Sequence, residues 1–534
     1  MKVTEIKIPE KIEDLNITYE LIKPFAYAHI FYKKDEKIIF YEVIEPKLSE
    51  SEKKLLEKTK ELILEHLDVD ITSIKEKEKQ TEILKDVLQK VLKILNVKID
   101  SETFLKISYY IYRDFVGLNE IEPLINDPYI EDINCNGVDI PVFVTHRYFG
   151  NIKTNVVFND IEKLKDFIIK LAIRCGKHVS YAEPILEGSL PDGSRVSATF
   201  SEEVSQRGPS FTIRKFTEKP FSPIELIELR TANAEIFAYL WFLIEHKISF
   251  LIIGGVGSGK TSLLNSLGIF IRPEAKIVSI EDTRELRFYH ENWVPLVARV
   301  GFGIPLPSGS KYGEVNLFDL LRESFRMNPD YVIVGETRGK EVYVMFQGMA
   351  SGHASASTFH AEDLKSLVKR LISPPIELPI VLLEALDLVI IMKRVKEKGE
   401  FARRLIEIIE IAGIDEKGEV MQNVTYKWNP FEDVHEKVND SILIREICER
   451  YGINLETAKK EIEDRKKVLE WLLKTGKRNY EEVREVIKMY YRDKETLMKS
   501  IEGLIEFEKA KELVLKLEEN EIVKKLGYIF VIEI

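Results

Sequence analysis

Apolar and polar positions change period several times along the 534-residue chain. Residues 20–46 read as short strands, and in FYKKDEKIIFYEVIEP two aromatic-rich runs flank KKDEK, which predicts a hairpin. SESEKKLLEKTKELILEHL takes the helical period, with Leu55, Leu56, Leu62, Ile63 and Leu67 recurring at helical spacing. Helical, Lys- and Glu-rich pattern continues through Leu95, so residues 1–100 read as a first small α+β domain. Residues 101–216 read as a second: helical through SETFLKISYYIYRDFVG, then strand-like in EDINCNG, PVFVTHRYFG and NIKTNVVFN. PDGS at 191–194 is a turn by composition, and RVSATF and SFTIRKF read as paired strands.

TEKPFS, residues 217–222, is a short polar linker and the expected hinge. Ser222, Pro223 and Glu225 then make a complete helix start, with a capping side chain, a proline in the first turn and a carboxylate closing the box. From 223 to 430, FLIIGG, AKIVSIED, YVIVGE and LDLVIIMKR are β-branched runs separated by helical patterns. That alternation predicts a mostly parallel sheet with helices on both faces. Residues 431–534 read as a helical C-terminal extension, with Asn479 and Glu482 as a capping pair and Gly476 ending the preceding helix.

Composition narrows the class. Lys plus Arg number 78 against 89 Asp plus Glu, a net charge of −11, which argues against a general nucleic-acid binder. Three dispersed cysteines, Cys135, Cys175 and Cys448, exclude a disulfide framework and a four-cysteine zinc site. No apolar run is long enough for a signal peptide or a membrane span, so a cytoplasmic chain is expected. Abundant Lys and Glu with only five Gln matches the composition of hyperthermophile proteins.

Four segments carry candidate chemistry. GGVGSGKT at 254–261 satisfies G-x-x-x-x-G-K-[ST], between an apolar strand and a helix. Gly254, Gly255, Val256, Gly257, Ser258 and Gly259 form a loop whose N–H groups curl around phosphates. Lys260 reaches the β- and γ-phosphates, Thr261 ligates Mg²⁺, and Ser262 continues the turn. In NPDYVIVGETRGKE a strand delivers Glu336, a carboxylate suited to the Mg²⁺ water shell or the attacking water; a solvated loop carboxylate is the plainer alternative. IEDTREL places Glu281, Asp282 and Glu285 at another strand end, either to orient the attacking water or as ordinary acids of a helix N-terminus. GMASGHASASTFHAED offers His353 and His360: a metal pair without a third ligand, a small-residue loop, or a nucleotide sensor.

These segments in this order resemble the secretion-superfamily ATPases, which drive type II and type IV secretion, type IV pili and the archaellum. The likeness covers most of the chain: IEPLINDPYIEDINCNG and SLPDGSRVSATF resemble the family's N-terminal domain. PFAYAHI…YEVIEP and RKKVLEWLLKTGKRNYEEVREVIKMYY resemble the archaeal branch, which includes archaellum motor and archaeal pilus-assembly ATPases. The resemblance implies a RecA-like P-loop core and a homo-hexamer using ATP and Mg²⁺. It makes Lys260 and Thr261 the Walker A pair, Glu336 part of Walker B, Glu281 the first and Glu285 the second candidate for the catalytic carboxylate, and His353 and His360 the histidine-box pair. Arg195 and Arg214 would close from the N-terminal domain over nucleotide, their alternative being plain surface arginines; Arg326 and Arg338 are weaker candidates for inter-subunit contacts. Thr283 stands where many members carry proline in the acidic box, and the bacterial four-cysteine module is lacking, so no structural metal is expected.

The implied activity is ATP hydrolysis coupled to assembly or rotation of a pilus-like filament through a polytopic membrane platform protein. The enzyme would sit at the inner face of the membrane, with accessory filament-motor proteins as further partners. Two rivals stand beside it: a nucleic-acid-translocating RecA-like motor, which predicts basic, aromatic-lined channel loops, and a non-hydrolysing nucleotide-gated scaffold, which predicts missing carboxylates.

Overall fold

The computed structural model describes residues 9, 11–66, 77–97, 99–216, 220–299, 301, 311–397 and 400–516. The chain divides into two compact units, Met1–Thr217 and Glu218–Ile534. The division falls within the 217–222 linker, of which residues 217–219 lie outside the described residues.

The first unit is built on a nine-stranded sheet. Its strands are β1 (Asn16–Ile22), β2 (Ala26–Lys33), β3 (Ile38–Ile44), β4 (Ile130–Cys135), β5 (Pro141–His146), β6 (Gly150–Val157), β7 (Ile185–Ser189), β8 (Arg195–Thr199) and β9 (Ser210–Arg214). They lie in the order β1-β2-β3-β6-β5-β4-β9-β8-β7. The hairpin expected around KKDEK is present, with Lys33 opposite Ile38. The boundary expected at 100/101 is not. β3 pairs with β6, which supplies the backbone partners its free edge lacks. Tyr19 and Tyr41 both donate to Oδ2 of fully buried Asp127 at 2.6 Å, tying the first three strands to the later segment. Helices Glu50–His66, Lys77–Ile94 and Ser101–Phe115 share a separate apolar cluster, which also crosses that boundary.

The second unit has its own nine-stranded sheet. Its strands are β10 (Phe250–Gly254), β11 (Ile277–Glu281), β12 (Trp293–Val297), β13 (Tyr331–Thr337), β14 (Ser355–Phe359), β15 (Leu388–Glu397), β16 (Glu400–Ile414), β17 (Val420–Asn429) and β18 (Val434–Lys437). The order is β12-β11-β13-β14-β10-β15-β16-β17-β18. The first six are parallel and the last three extend the sheet antiparallel, an extension the apolar runs did not reveal. Alternate residues of the parallel strands enter two different cores. Ile252, Ile277, Ile333 and Ile390 face one, and Leu251, Val278, Val332 and Val389 the other. A sheet buried on both faces needs apolar residues at successive positions, which is why these strands read as continuous runs.

The helical residues beyond 431 belong to this unit and are not a separate extension. β17 and β18 flank the expected 430/431 boundary and pair with each other. Helices Ile442–Tyr451, Leu455–Thr475 and Tyr480–Arg492 contribute Leu443, Leu472 and Val486 to the core that holds Trp241 and Phe270. The cause lies in helix Ala234–Glu245, where every residue from Ile236 to Ile244 is buried. A helix apolar all round requires cover on both sides. The sheet supplies one side and the C-terminal helices the other. Buried Arg465 stacks over Trp241, Phe242 and Tyr490 and pairs with Glu245.

Candidate functional site

Parallel strands β11, β13, β14 and β10 lie side by side, so their C-terminal ends share one edge of the sheet. That edge carries Glu281 at the end of β11, Glu336 near the end of β13, His360 just after β14, and the glycine-rich loop after β10. In an open α/β sheet this is the edge where ligands bind.

The loop is shaped by glycines in conformations other residues rarely adopt. Gly254, Gly257 and Gly259 have φ of +158°, +70° and +91°. A Cβ on Gly254 would stand 2.3 Å from the Met392 carbonyl oxygen of neighbouring β15, whereas Cβ positions on Gly255 and Gly257 point into open space. The loop is thus tight against the sheet and open on its outer side. Lys260 starts helix Lys260–Leu267 and is buried to 7% exposure, its Nζ donating to the carbonyls of Gly254 (3.0 Å) and Gly255 (2.9 Å). Burial lowers its pKa, while the carboxylates of Glu336 and Glu285 oppose that shift. Thr261 follows in the first helical turn.

Glu336 lies 3.0 Å from Nε2 of His360, both about one-third exposed. Burial and the Lys260 charge hold the His360 pKa below the usual histidine value, with Glu336 opposing. A neutral imidazole protonated on Nε2 donates to that carboxylate. Lys260, Glu336 and His360 therefore form one charge-coupled cluster beside the loop. His360 is anchored in turn by Arg370, whose guanidinium donates to its carbonyl. Glu281 is buried, and its Oε1 accepts the backbone N–H groups of Glu285 (2.7 Å) and Leu286 (2.8 Å), so it also shapes the turn that presents Glu285. Gly335 lets Glu281 approach: a Cβ there would be 3.0 Å from Glu281 Cγ.

The structure separates His353 from His360. His353 precedes β14 and His360 follows it, so about 13 Å of extended strand lies between them. His353 packs against Phe325, with ring centroids 4.9 Å apart. The H-x6-H spacing is therefore no metal pair, and among the described residues no group of three or more His, Cys, Asp or Glu is placed to hold a metal ion. Arg338 donates to Asp282 Oδ2 at 3.0 Å, linking the ends of β13 and β11, whereas exposed Arg326 reaches Glu323 of its own helix. In the first unit, Arg195 and Arg214 face each other directly across β8 and β9, and Arg214 donates to Asp132 at 3.3 Å.

Two contributors escaped the sequence reading. Glu341 Oε1 accepts the N–H groups of Arg338 and Gly339 at 2.7 Å and so shapes the turn after Glu336. Arg403 on β16 donates from Nε to Gly257 O at 3.2 Å. The only signal for the latter is an Arg-Arg pair in a stretch that does not alternate cleanly.

A family model described as "Type II/IV secretion system protein" matches residues 117–503. An uncharacterized protein of Methanocaldococcus jannaschii is 35% identical over 530 residues, spanning 94% of this chain and 92% of its own. The type IV secretion system protein PtlH of Bordetella pertussis is 30% identical over 264 residues, 43% of this chain and 76% of PtlH. Among solved structures, the VirB11 ATPase of the Brucella suis type IV secretion system aligns at 22% identity with a TM-score of 0.28, covering 55% of this chain and 93% of that one.

Proposed function

The chain belongs to the type II/IV secretion system protein family, and from that premise we propose that it is an ATP hydrolase that drives a membrane-associated filament or secretion machine. The observation that carries this reading is the cluster at one sheet edge: a glycine loop open on its outer side, with Lys260, Glu336 and His360 beside it. Loop N–H groups and the helix start suit a triphosphate. The Thr261 hydroxyl and the Glu336 carboxylate are hard oxygen donors of the kind Mg²⁺ takes, directly or through water. Glu281 and Glu285 are the carboxylates for the attacking water, and Glu285 is the one whose charge acts on Lys260. We assign Arg195 and Arg214, register partners on β8 and β9, to the nucleotide's phosphates, since a guanidinium suits phosphoryl charge. His353, in this reading, serves as a nucleotide-dependent contact away from the phosphate cluster.

The working form is a homo-hexamer at the inner face of the membrane, acting on a polytopic platform protein, with accessory filament-motor proteins, to assemble or rotate a pilus-like filament, archaellum or pilus. No helix among the described residues is long and apolar enough to cross a membrane. The test is ATP turnover and mass in solution with Mg-ATP, with and without single-stranded DNA and lipid vesicles. Lys260→Ala abolishes turnover, and Glu336→Ala keeps ATP binding while turnover falls by about 10²–10³. Normal turnover in Lys260→Ala refutes the site, and a monomer stimulated by DNA promotes the nucleic-acid motor instead.

A further inference from the structure

Arg403 and Arg404 are consecutive on β16, and consecutive strand residues face opposite ways. Arg404 is buried and donates to both carboxylate oxygens of Asp433, at 2.7 and 3.0 Å, and to the Leu229 carbonyl at 3.1 Å. Arg403 goes to the glycine loop. Its Nε donates to Gly257 O at 3.2 Å, and its Cδ stands 3.1 Å from where a Cβ on Gly259 would be. A register shift between Ile391 and Met392 decides which arginine goes where. Ile391 pairs with Glu407 and Met392 with Leu405, which leaves Ile406 over on β16. A one-residue slip turns every later side chain to the other face, so without it the two arginines would exchange roles.

The bond at Gly257 has a consequence inside the loop. In a planar trans peptide the carbonyl of one residue and the N–H of the next point in opposite directions. Holding the Gly257 carbonyl toward Arg403 turns the Ser258 N–H away from that arginine and fixes the direction in which it can donate. Gly257, at φ +70° with no neighbour around its Cβ position, has nothing of its own to enforce that orientation. We propose that Arg403 is a positioning residue of the nucleotide site, bracing residues 254–260 in a phosphate-accepting shape and so setting nucleotide affinity without entering the hydrolytic step. This rests on the ATP-site reading above.

Arg394 provides an internal control. It lies directly opposite Arg403 in the β15–β16 ladder, carries the same charge, and stacks over Phe401 at 3.8 Å. ATP affinity, KM and kcat are measured for Arg403→Gln, Arg403→Lys, Arg394→Gln and Lys260→Ala in the full chain, with unfolding midpoints recorded alongside. Arg403→Gln raises KM and the ATP dissociation constant about tenfold, the scale of a lost charged hydrogen bond, with kcat held within about twofold. Arg403→Lys recovers part of the loss, and Arg394→Gln matches the parent. An unchanged KM in Arg403→Gln, an equal rise in Arg394→Gln, or a fall in kcat alone overturns the brace. If Lys260→Ala loses ATP while Arg403→Gln binds normally, only the brace fails. If Lys260→Ala binds normally, the ATP-site reading fails with it.

Discussion

His146 ends β5 with its ring stacked on Phe149, centroids 4.9 Å apart, and its Nδ1 accepts the Tyr148 N–H. Burial, helped by the Arg147 charge, pushes its pKa from 6.5 down to about 3. Between those values the unfolded chain binds a proton that the folded chain refuses, so stability falls as pH drops below 6.5. The slope from this residue is about 1.4 kcal/mol per pH unit. His246, His290, His360 and His435, also shifted down, act in the same direction. Asp387, raised to about 6 by burial, acts in the opposite one. Denaturant unfolding at pH 7, 6 and 5 should show a flatter slope in His146→Gln than in the parent, and equal slopes would refute the assignment. At this scale the shape of the loop from Gly254 to Thr261 was legible because the glycines that allow it and the helix start that ends it lie within eight consecutive residues. The separation of His353 from His360 was not, since spacing along a chain does not say whether a strand intervenes.

Helix starts were legible where side chain and backbone meet within four residues. Ser222 accepts from Glu225 N and Glu225 from Ser222 N, the reciprocal box expected of them. Asn479 accepts from Glu482 N at 3.0 Å, and Gly476 closes the preceding helix at φ +71°. Ser222 does more than its local sequence reveals: it is fully buried, and its hydroxyl donates to the Arg478 carbonyl. Ser222→Ala should therefore cost about 2 kcal/mol, above the roughly 1 kcal/mol of the exposed cap variant Asn454→Ala, as read from denaturant midpoints. Equal losses would mean that the Arg478 bond contributes nothing. β16 was illegible for a related reason. Arg404 and Glu410 occupy buried positions where an apolar residue is expected. Each is satisfied by a distant partner: Arg404 by Asp433, and Glu410 by Tyr239 (2.6 Å), Asn423 (2.8 Å) and the Ile442 N–H (2.7 Å). Polar groups paired across the fold break the two-residue alternation that marks a strand.

The two sheets show how far domain boundaries depend on pairing. A reading by composition cuts at residue 100 and again at 430. β3 with β6 crosses the first cut, and β17 with β18 and the shared core beyond them cross the second. The helices from Ile442 onward cover the apolar helix Ala234–Glu245, so they are part of what holds the site-bearing unit folded. Truncation after Asp440 should yield aggregated or unfolded protein without ATP binding, measured by circular dichroism and nucleotide titration. A truncated chain that folds and turns over ATP at the parent rate would show these helices to be dispensable. Arg465→Ala makes the same point with one residue: it removes one of the two arginines on Glu245, leaving Arg272 at 2.9 Å, and opens a gap against Trp241, a loss of about 2–3 kcal/mol read from denaturant midpoints.

The sequence alone determined whatever depends on neighbours in the chain: the glycine-rich loop between strand and helix, the capped helix starts, the hairpin at KKDEK, and the doubly buried strands that place Glu281 and Glu336 at one sheet edge. Tertiary structure decided whatever depends on which strand lies beside which. It joined His360 to Glu336, parted His353 from both, set Arg195 opposite Arg214, merged the expected domains into two units, and sent Arg403 to the loop and Arg404 to Asp433. The physical reason is that strand pairing and register are long-range choices. A shift of one residue, invisible in composition and periodicity, reverses the face of every side chain that follows.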